Sequence, residues 1–177
     1  MSAVYRIYEA AANDAAALEA LINSAFRGDS SRRGWTHEAD LIQGELRTDR
    51  QVLLDLIADP QATLLILADD EPGALPLASV LLKNQGEWLY LGMLTVAPDR
   101  QGEGLGKKLL AAAEEHARTT GCRGIEMTVI SDRIELIDWY VRHGYRPTGE
   151  TRPFEVSPKY GTPVRPLTFV VLTKPVG

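Results

Sequence analysis

Gly102, Gly104 and Gly106 alternate in the stretch Gln101-Gly102-Glu103-Gly104-Leu105-Gly106, and Lys107 and Lys108 follow at once. Glycine offers no side chain to pack and costs backbone entropy on folding. Three so close together predict a backbone that something must approach. The apolar run LYLGMLTV before them reads as a strand, and the alanine-rich run after them as a helix. Such a turn is an anion site, because the first N–H groups of a helix lack partners and its dipole favours negative charge. Lys107 and Lys108 oppose that dipole but suit a phosphate. Two phosphate motifs do not fit. GxxxxGK[ST] finds Gln101 in place of its first glycine and Lys108 in place of Ser or Thr. GxGxxG begun at Gly102 meets Lys107 where its last glycine belongs.

The pattern Gln/Arg-x-x-Gly-x-Gly/Ala fits residues 101–106 without a gap and resembles the pyrophosphate loop of the GNAT superfamily of acyl-CoA-dependent N-acyltransferases. Tyr140-Val141-Arg142-His143-Gly144-Tyr145 is similar to that superfamily's second signature, Tyr-x-x-x-Gly-Phe/Tyr. The resemblance covers residues 87–150. It implies a GNAT fold of α/β (α+β) class, with a central mixed, mostly antiparallel sheet of about seven strands and helices on both faces. It also implies an N-acetyltransferase moving the acetyl group of acetyl-CoA directly to a primary amine. A protein N-terminus or lysine as acceptor, or a catalytically silent acyl-CoA-binding module, are the alternatives.

By the same resemblance, Gln101, Gly102, Glu103, Gly104, Leu105, Gly106 and Lys107 would hold the pyrophosphate. The Leu94 N–H would face the thioester carbonyl, a backbone donor aimed at the oxyanion, while Thr95 and Val96 pair with the pantetheine arm. Gly92 would mark the bulge where two central strands splay apart, or else make room for a packed side chain. Tyr140 stands at the position of the acid that protonates the departing thiolate, a role that a phenol of pKa ~10 suits. Arg133 replaces a frequent Asn and Leu136 a frequent small residue; with Arg142 they complete the expected CoA contacts. An amine must lose a proton before it attacks. For the base, Glu87 at the start of the strand is the preferred candidate, with Glu126 and a water chain as alternatives.

The acceptor would lie between "RGDSSRRGWTHEAD" and "TRPFEVSPKYGTPVRP". Arg32, Arg33 and Arg152 would suit an amine with a carboxylate or phosphate; Glu38, Asp40 and Glu155 would suit a polyamine. Trp35 and Phe154 would form an apolar wall. Cys122 falls at a turn away from the thioester, which favours direct transfer over a covalent cysteine route.

The elements that must position these residues follow from periodicity. Strands are expected at residues 3–9, 62–68, 77–82, 88–96, 125–130, 145–156 and 167–174. Helices are expected from a cap at Asn13-Asp14 to Phe26, over 36–46 and 50–58, and from the glycine loop to Thr120 with Gly121 as terminator. A last helix should run over 133–143, with Asp132 and Glu135 forming a capping box. Residues 27–35 break the helical pattern. Strands alternating with helices predict one domain over 1–177, built on a mixed sheet.

Of 177 residues, 45% are hydrophobic and 24% charged, an ordinary globular composition. A net charge of −5 argues against a general nucleic-acid binder. No apolar run is long enough to span a membrane, and the N-terminus lacks the pattern of a secretory signal. A lone Cys122 forms no internal disulfide and fits a reducing, cytoplasmic setting. His37, His116 and His143 lie far apart without HExxH or paired cysteines, so no metal site is expected. A small-molecule amine is the expected partner, and a homodimer is compatible with the sequence.

Overall fold

The computed structural model describes residues 4–177, so the start of the strand expected over 3–9 lies outside the described residues. The chain runs β1 (Tyr5–Glu9), α1 (Ala15–Phe26), α2 (Gly28–Ser31), β2 (Ile42–Gln43), α3 (Arg50–Ala58), β3 (Ala62–Asp69), β4 (Ala78–Gln85) and β5 (Trp88–Val96). It continues through α4 (Leu105–Thr119), β6 (Gly124–Ile130), α5 (Ile134–Arg142), β7 (Arg146–Pro153), β8 (Thr162–Pro163) and β9 (Thr168–Pro175).

Seven strands form one sheet in the order β1-β3-β4-β5-β6-β9-β7. Neighbours are antiparallel except β5 and β6. A parallel pair needs a long crossover, and α4 supplies it. Alternate side chains of a strand point to opposite faces, which explains why this sheet is covered on both. Val80 and Leu82 of β4 join Leu67 in a buried cluster with Leu105, Leu109 and Ala113 of α4. Leu81 turns the other way, to Leu64 and Ile66 of β3, Leu18 and Ile22 of α1, and Leu53 of α3. Burying each such leucine contributes about 1.5–3 kcal/mol.

The expected strands and the helices after Asp49 and Gly104 are present within a few residues of the bounds read from sequence. Gly121 and Gly144, at φ +77° and +95°, follow the ends of α4 and α5 as C-terminal stops.

Four local expectations are corrected. No helix forms over 36–46. One turn, in which the Leu41 and Ile42 N–H groups bond the Glu38 carbonyl, leads into β2, which pairs with β8. Helical periodicity there gives way to burial of Ile42 and of the Glu38 carboxylate. The segment read as a plain break contains α2. The capping box on α5 is also absent. Arg133 occupies the cap position without a side-chain cap bond, Asp132 pairs with Arg165, and Glu135 accepts from Thr36 Oγ1 at 3.0 Å. At the start of α1, Asp14 receives the Ala11 N–H at 2.8 Å and closes a 3-10 turn over Ala12–Asp14 rather than capping α1 itself.

Candidate active site

β5 and β6 pair only at Trp88–Gly124, Leu89–Ile125 and Tyr90–Glu126. Beyond these, β5 stays on β4 as far as Val96, and β6 stays on β9 as far as Ile130. Stretches 91–96 and 127–130 therefore diverge, leaving two strand edges without a mutual partner. A bulge accompanies the divergence. The β4–β5 register passes from Leu81–Gly92 to Ser79–Thr95, so Met93 and Leu94 together oppose Val80. Met93 takes φ +47°, a region that costs a non-glycine residue about 1–3 kcal/mol. Thr95 Oγ1 donates to the Met93 carbonyl at 2.8 Å and steadies the kink. A Cβ on Gly92 would stand 2.8 Å from Cε1 of Tyr90. That glycine makes room for a packed ring, and the bulge falls on the residue after it.

The gap opens into a cleft of about 410 Å³. At one end lie the glycines. Gly102 and Gly104 have φ +87° and +80°, and a Cβ on either would meet nothing within 4 Å, so their backbone is bare on the approach to α4. Gly106 serves another purpose: a Cβ there would stand 3.3 Å from Cη2 of Trp139, so its absence lets α4 approach α5. Gln101 Nε2 donates to the Val96 carbonyl at 3.2 Å, and its Oε1 accepts the Trp35 N–H at 2.7 Å. That side chain ties the end of β5 to the segment after α2. Lys107 lines the cleft and Leu105 is in the core. Glu103 turns aside to grip Arg100 through two bonds, at 2.7 and 3.2 Å.

Tyr140, 5% exposed, forms part of the wall, edge-on to Trp139 at 5.2 Å and Tyr145 at 5.7 Å. Its hydroxyl makes no hydrogen bond among the described residues. Burial pushes its pKa well above the ordinary tyrosine value; nearby Arg133 works against that rise and Tyr90 adds to it. At neutral pH the phenol is therefore uncharged.

Arg133 is equally buried. Its Nη1 meets Glu38 Oε2 at 3.1 Å, its Nη2 donates to Thr36 Oγ1 at 2.8 Å, and its Nε–H is buried without a partner. The other Glu38 oxygen takes Arg27 Nε at 3.0 Å. Burial lowers the Arg27 pKa, and Glu38 opposes that shift. One carboxylate thus serves two guanidinium groups.

A model of the acetyltransferase (GNAT) family matches residues 16–145. The chain belongs to that family. Acetyltransferase Atu2258 of Agrobacterium fabrum is 36% identical over 66 residues, which make up 37% of this chain and 47% of that protein, so the match spans about half of that relative's length. Among solved structures, the ribosomal-protein-S18-alanine N-acetyltransferase of Escherichia coli has a TM-score of 0.69 at 14% identity, over 98% of this chain and 95% of that one. The Salmonella typhimurium acetyltransferase yncA, solved with its cofactor acetyl-CoA, has a TM-score of 0.68 at 20% identity, over 98% and 94%. At such identities the likeness is one of fold.

The residues expected to serve this GNAT site from sequence do not all meet. Leu94, Thr95, Val96, Leu136, Trp35 and Phe154 line the cleft with the glycines, Lys107, Arg133 and Tyr140. Glu87 does not. It sits at the opposite end of β5 from the bulge, exposed and ion-paired with Arg123 at 3.3 Å. Glu126 accepts from Arg152 at 3.2 Å on the paired part of β6. Arg33 and Arg142 are exposed and outside the lining, and Arg32 is paired with Asp40. Sequence reading missed Phe26, Arg27 and Arg47, which do line the cleft, and gave Tyr90 no role there. Arg27 ends the apolar stripe of α1, and Arg47 follows the segment misread as a helix. Neither carries a local signal.

Proposed function

We propose that the protein transfers an acetyl group from acetyl-CoA to a primary amine of a small molecule by direct attack. The observation that carries this reading is the divergence of β5 from β6 at a bulge, opening toward a bare left-handed glycine backbone at a helix N-terminus. An unpaired strand edge suits an amide-bearing arm, and the glycine cradle with Lys107 suits a pyrophosphate. Bound acetyl-CoA supplies an activated acyl carbon and a thiolate leaving group. Backbone N–H groups near Leu94 are the candidate oxyanion donors. Tyr140 holds a proton at a hydroxyl with no internal acceptor, as a general acid must. Among the described residues that line the cleft, no carboxylate is free to act as a base: Glu38 is paired with both Arg27 and Arg133. The cations around the cleft instead favour the neutral, nucleophilic form of a bound amine. Cys122 is buried beside Asn84, away from the cleft, which supports direct transfer.

A small acceptor is favoured over a protein terminus or lysine by the far wall. Segments 27–47 and 154–160 each place side chains along the cleft there, and β2, within the first, pairs with β8, just after the second. The test is thermal unfolding with CoA, acetyl-CoA, ADP and NAD, followed by thiol release with a panel of amines. CoA and acetyl-CoA should raise Tm far more than the others, since only the folded state carries the loop. Equal shifts with NAD would mean a different phosphate ligand.

A further inference from the structure

The charge lining the cleft is lopsided. Among the described residues that line it, Glu38 is the one carboxylate, against Arg27, Arg47, Arg133 and Lys107. Lys107 belongs to the glycine end. At the other end, Glu38 is shared between Arg27 and Arg133, so two positive charges remain in excess there. Arg47 is the conspicuous one. Its guanidinium makes no ion pair or hydrogen bond among the described residues, although it is close enough to Arg27 to lower that residue's pKa. It lines both the cleft and a smaller adjoining cavity of about 220 Å³. The Cζ atoms of Arg47 and Arg133 lie 5.5 and 5.7 Å from the centre of the Phe26 ring. The buried Arg133 Nε–H adds an unused donor on the same wall. The chain as a whole is acidic, so this excess is local to the cleft.

An unsatisfied buried donor such as the Arg133 Nε–H is costly, and the half-buried Arg47 has no counter-charge among the described residues. A polyamine would meet only repulsion, because the single carboxylate present is already neutralised twice. Asp40 and Glu155, the other acids considered for it, are outside the lining.

We propose that the acceptor is a small primary amine that carries its own anionic group, of carboxylate or phosphonate chemistry, bound by Arg47 within the excess positive field of Arg27 and Arg133. Phe154, Val156 and Phe169 line the same cleft with apolar surface, which suits an apolar body between the amine and the anion-bearing end. This specificity rests on the acetyltransferase reading above.

The experiment is thermal unfolding of the protein saturated with CoA, with millimolar leucine, phenylalanine, their phosphonate analogues, their decarboxylated amines, and spermidine added singly. Wild-type protein should be stabilised by members with an anionic group and not by the decarboxylated amines or spermidine. The carboxylate and phosphonate members tell the two anion sources apart. Arg47→Gln should weaken the apparent affinity for the stabilising members about 10- to 100-fold, with Arg47→Lys recovering part of it. CoA affinity should be unchanged in both variants. The Arg47 backbone is anchored separately by Asn23 Oδ1 at 2.6 Å, so either variant keeps that tie. Stabilisation by decarboxylated amines equal to that by their parents would overturn this inference and leave the acetyltransferase reading intact, as would no response to any anionic member. Failure of CoA itself to stabilise the protein would overturn both.

Discussion

Tyr140 and Gly104 place the two most direct tests at single atoms. Tyr140→Phe keeps the ring that packs on Trp139 and Tyr145 and removes only the hydroxyl. CoA binding by calorimetry should survive while steady-state turnover falls about 10²–10⁴-fold, the usual contribution of a general acid. Because burial raises the Tyr140 pKa, the phenol stays protonated throughout the range where an exposed tyrosine would begin to ionise. The wild-type rate should therefore show no descending limb from this group up to pH ~10, and full activity in the Phe variant would reduce Tyr140 to a packing residue. At Gly104, φ +80° costs an alanine about 1–2 kcal/mol. Relieving that strain moves the loop, and ligand binding must then restore it. Gly104→Ala should weaken CoA binding about tenfold by titration; unchanged affinity would remove the loop from the site. Of the residues that matter here, the glycines and Tyr140 were legible because their spacing is local. Arg27 and Arg47 were not, because their guanidinium groups, distant in sequence, come close enough to feel each other only when the chain folds.

Elements are joined by the same charges. Glu38 links the end of α1, through Arg27, to the start of α5, through Arg133. Glu38→Gln would leave two buried guanidinium groups facing each other, and stability by urea titration should fall about 3–5 kcal/mol. Asp49 caps α3, where its Oδ1 accepts the Val52 N–H at 2.9 Å. Its Oδ2 holds Lys159 and the Tyr160 hydroxyl, each at 2.7 Å, so one side chain pins the 157–163 segment to the helix. These bonds, that from Lys159 foremost, hold its pKa well below the usual carboxylate value. A depressed folded-state pKa means stability that is present above the unfolded-state value and lost as pH falls from there through the depressed folded-state value. The Tm gap between wild type and Asp49→Asn should accordingly be open at pH 7 and narrow below pH ~4. A gap independent of pH would assign the effect to lost geometry rather than charge. The strands and α4 were legible because their periodicity reports burial on a sheet. The segment 36–46 misled for a physical reason: its helical spacing is real, but the buried Glu38 carboxylate and the β2–β8 pair outweigh it.

At the scale of the whole molecule, a mostly antiparallel sheet of about seven strands was implied by a resemblance confined to its middle, and the structure sets the strand order out to both sheet edges. What no local pattern announced is where the seam falls. β1, β3, β4 and β5 all precede the glycine loop, while β6, β9 and β7 all follow it. Within the sheet, among the described residues, only the short parallel contact at Trp88–Tyr90 joins these halves; α4, from the second, covers the first. The chain is thus two consecutive pieces whose meeting line is also the cleft. Cut between Ala97 and Asp99 and expressed as separate polypeptides, the pieces should reassemble through the apolar face of α4, and CoA should tighten the assembly by bridging the seam. Co-elution on gel filtration with and without CoA would read this out. Fragment complementation that depended on the ligand would make the protein a sensor of its own cosubstrate.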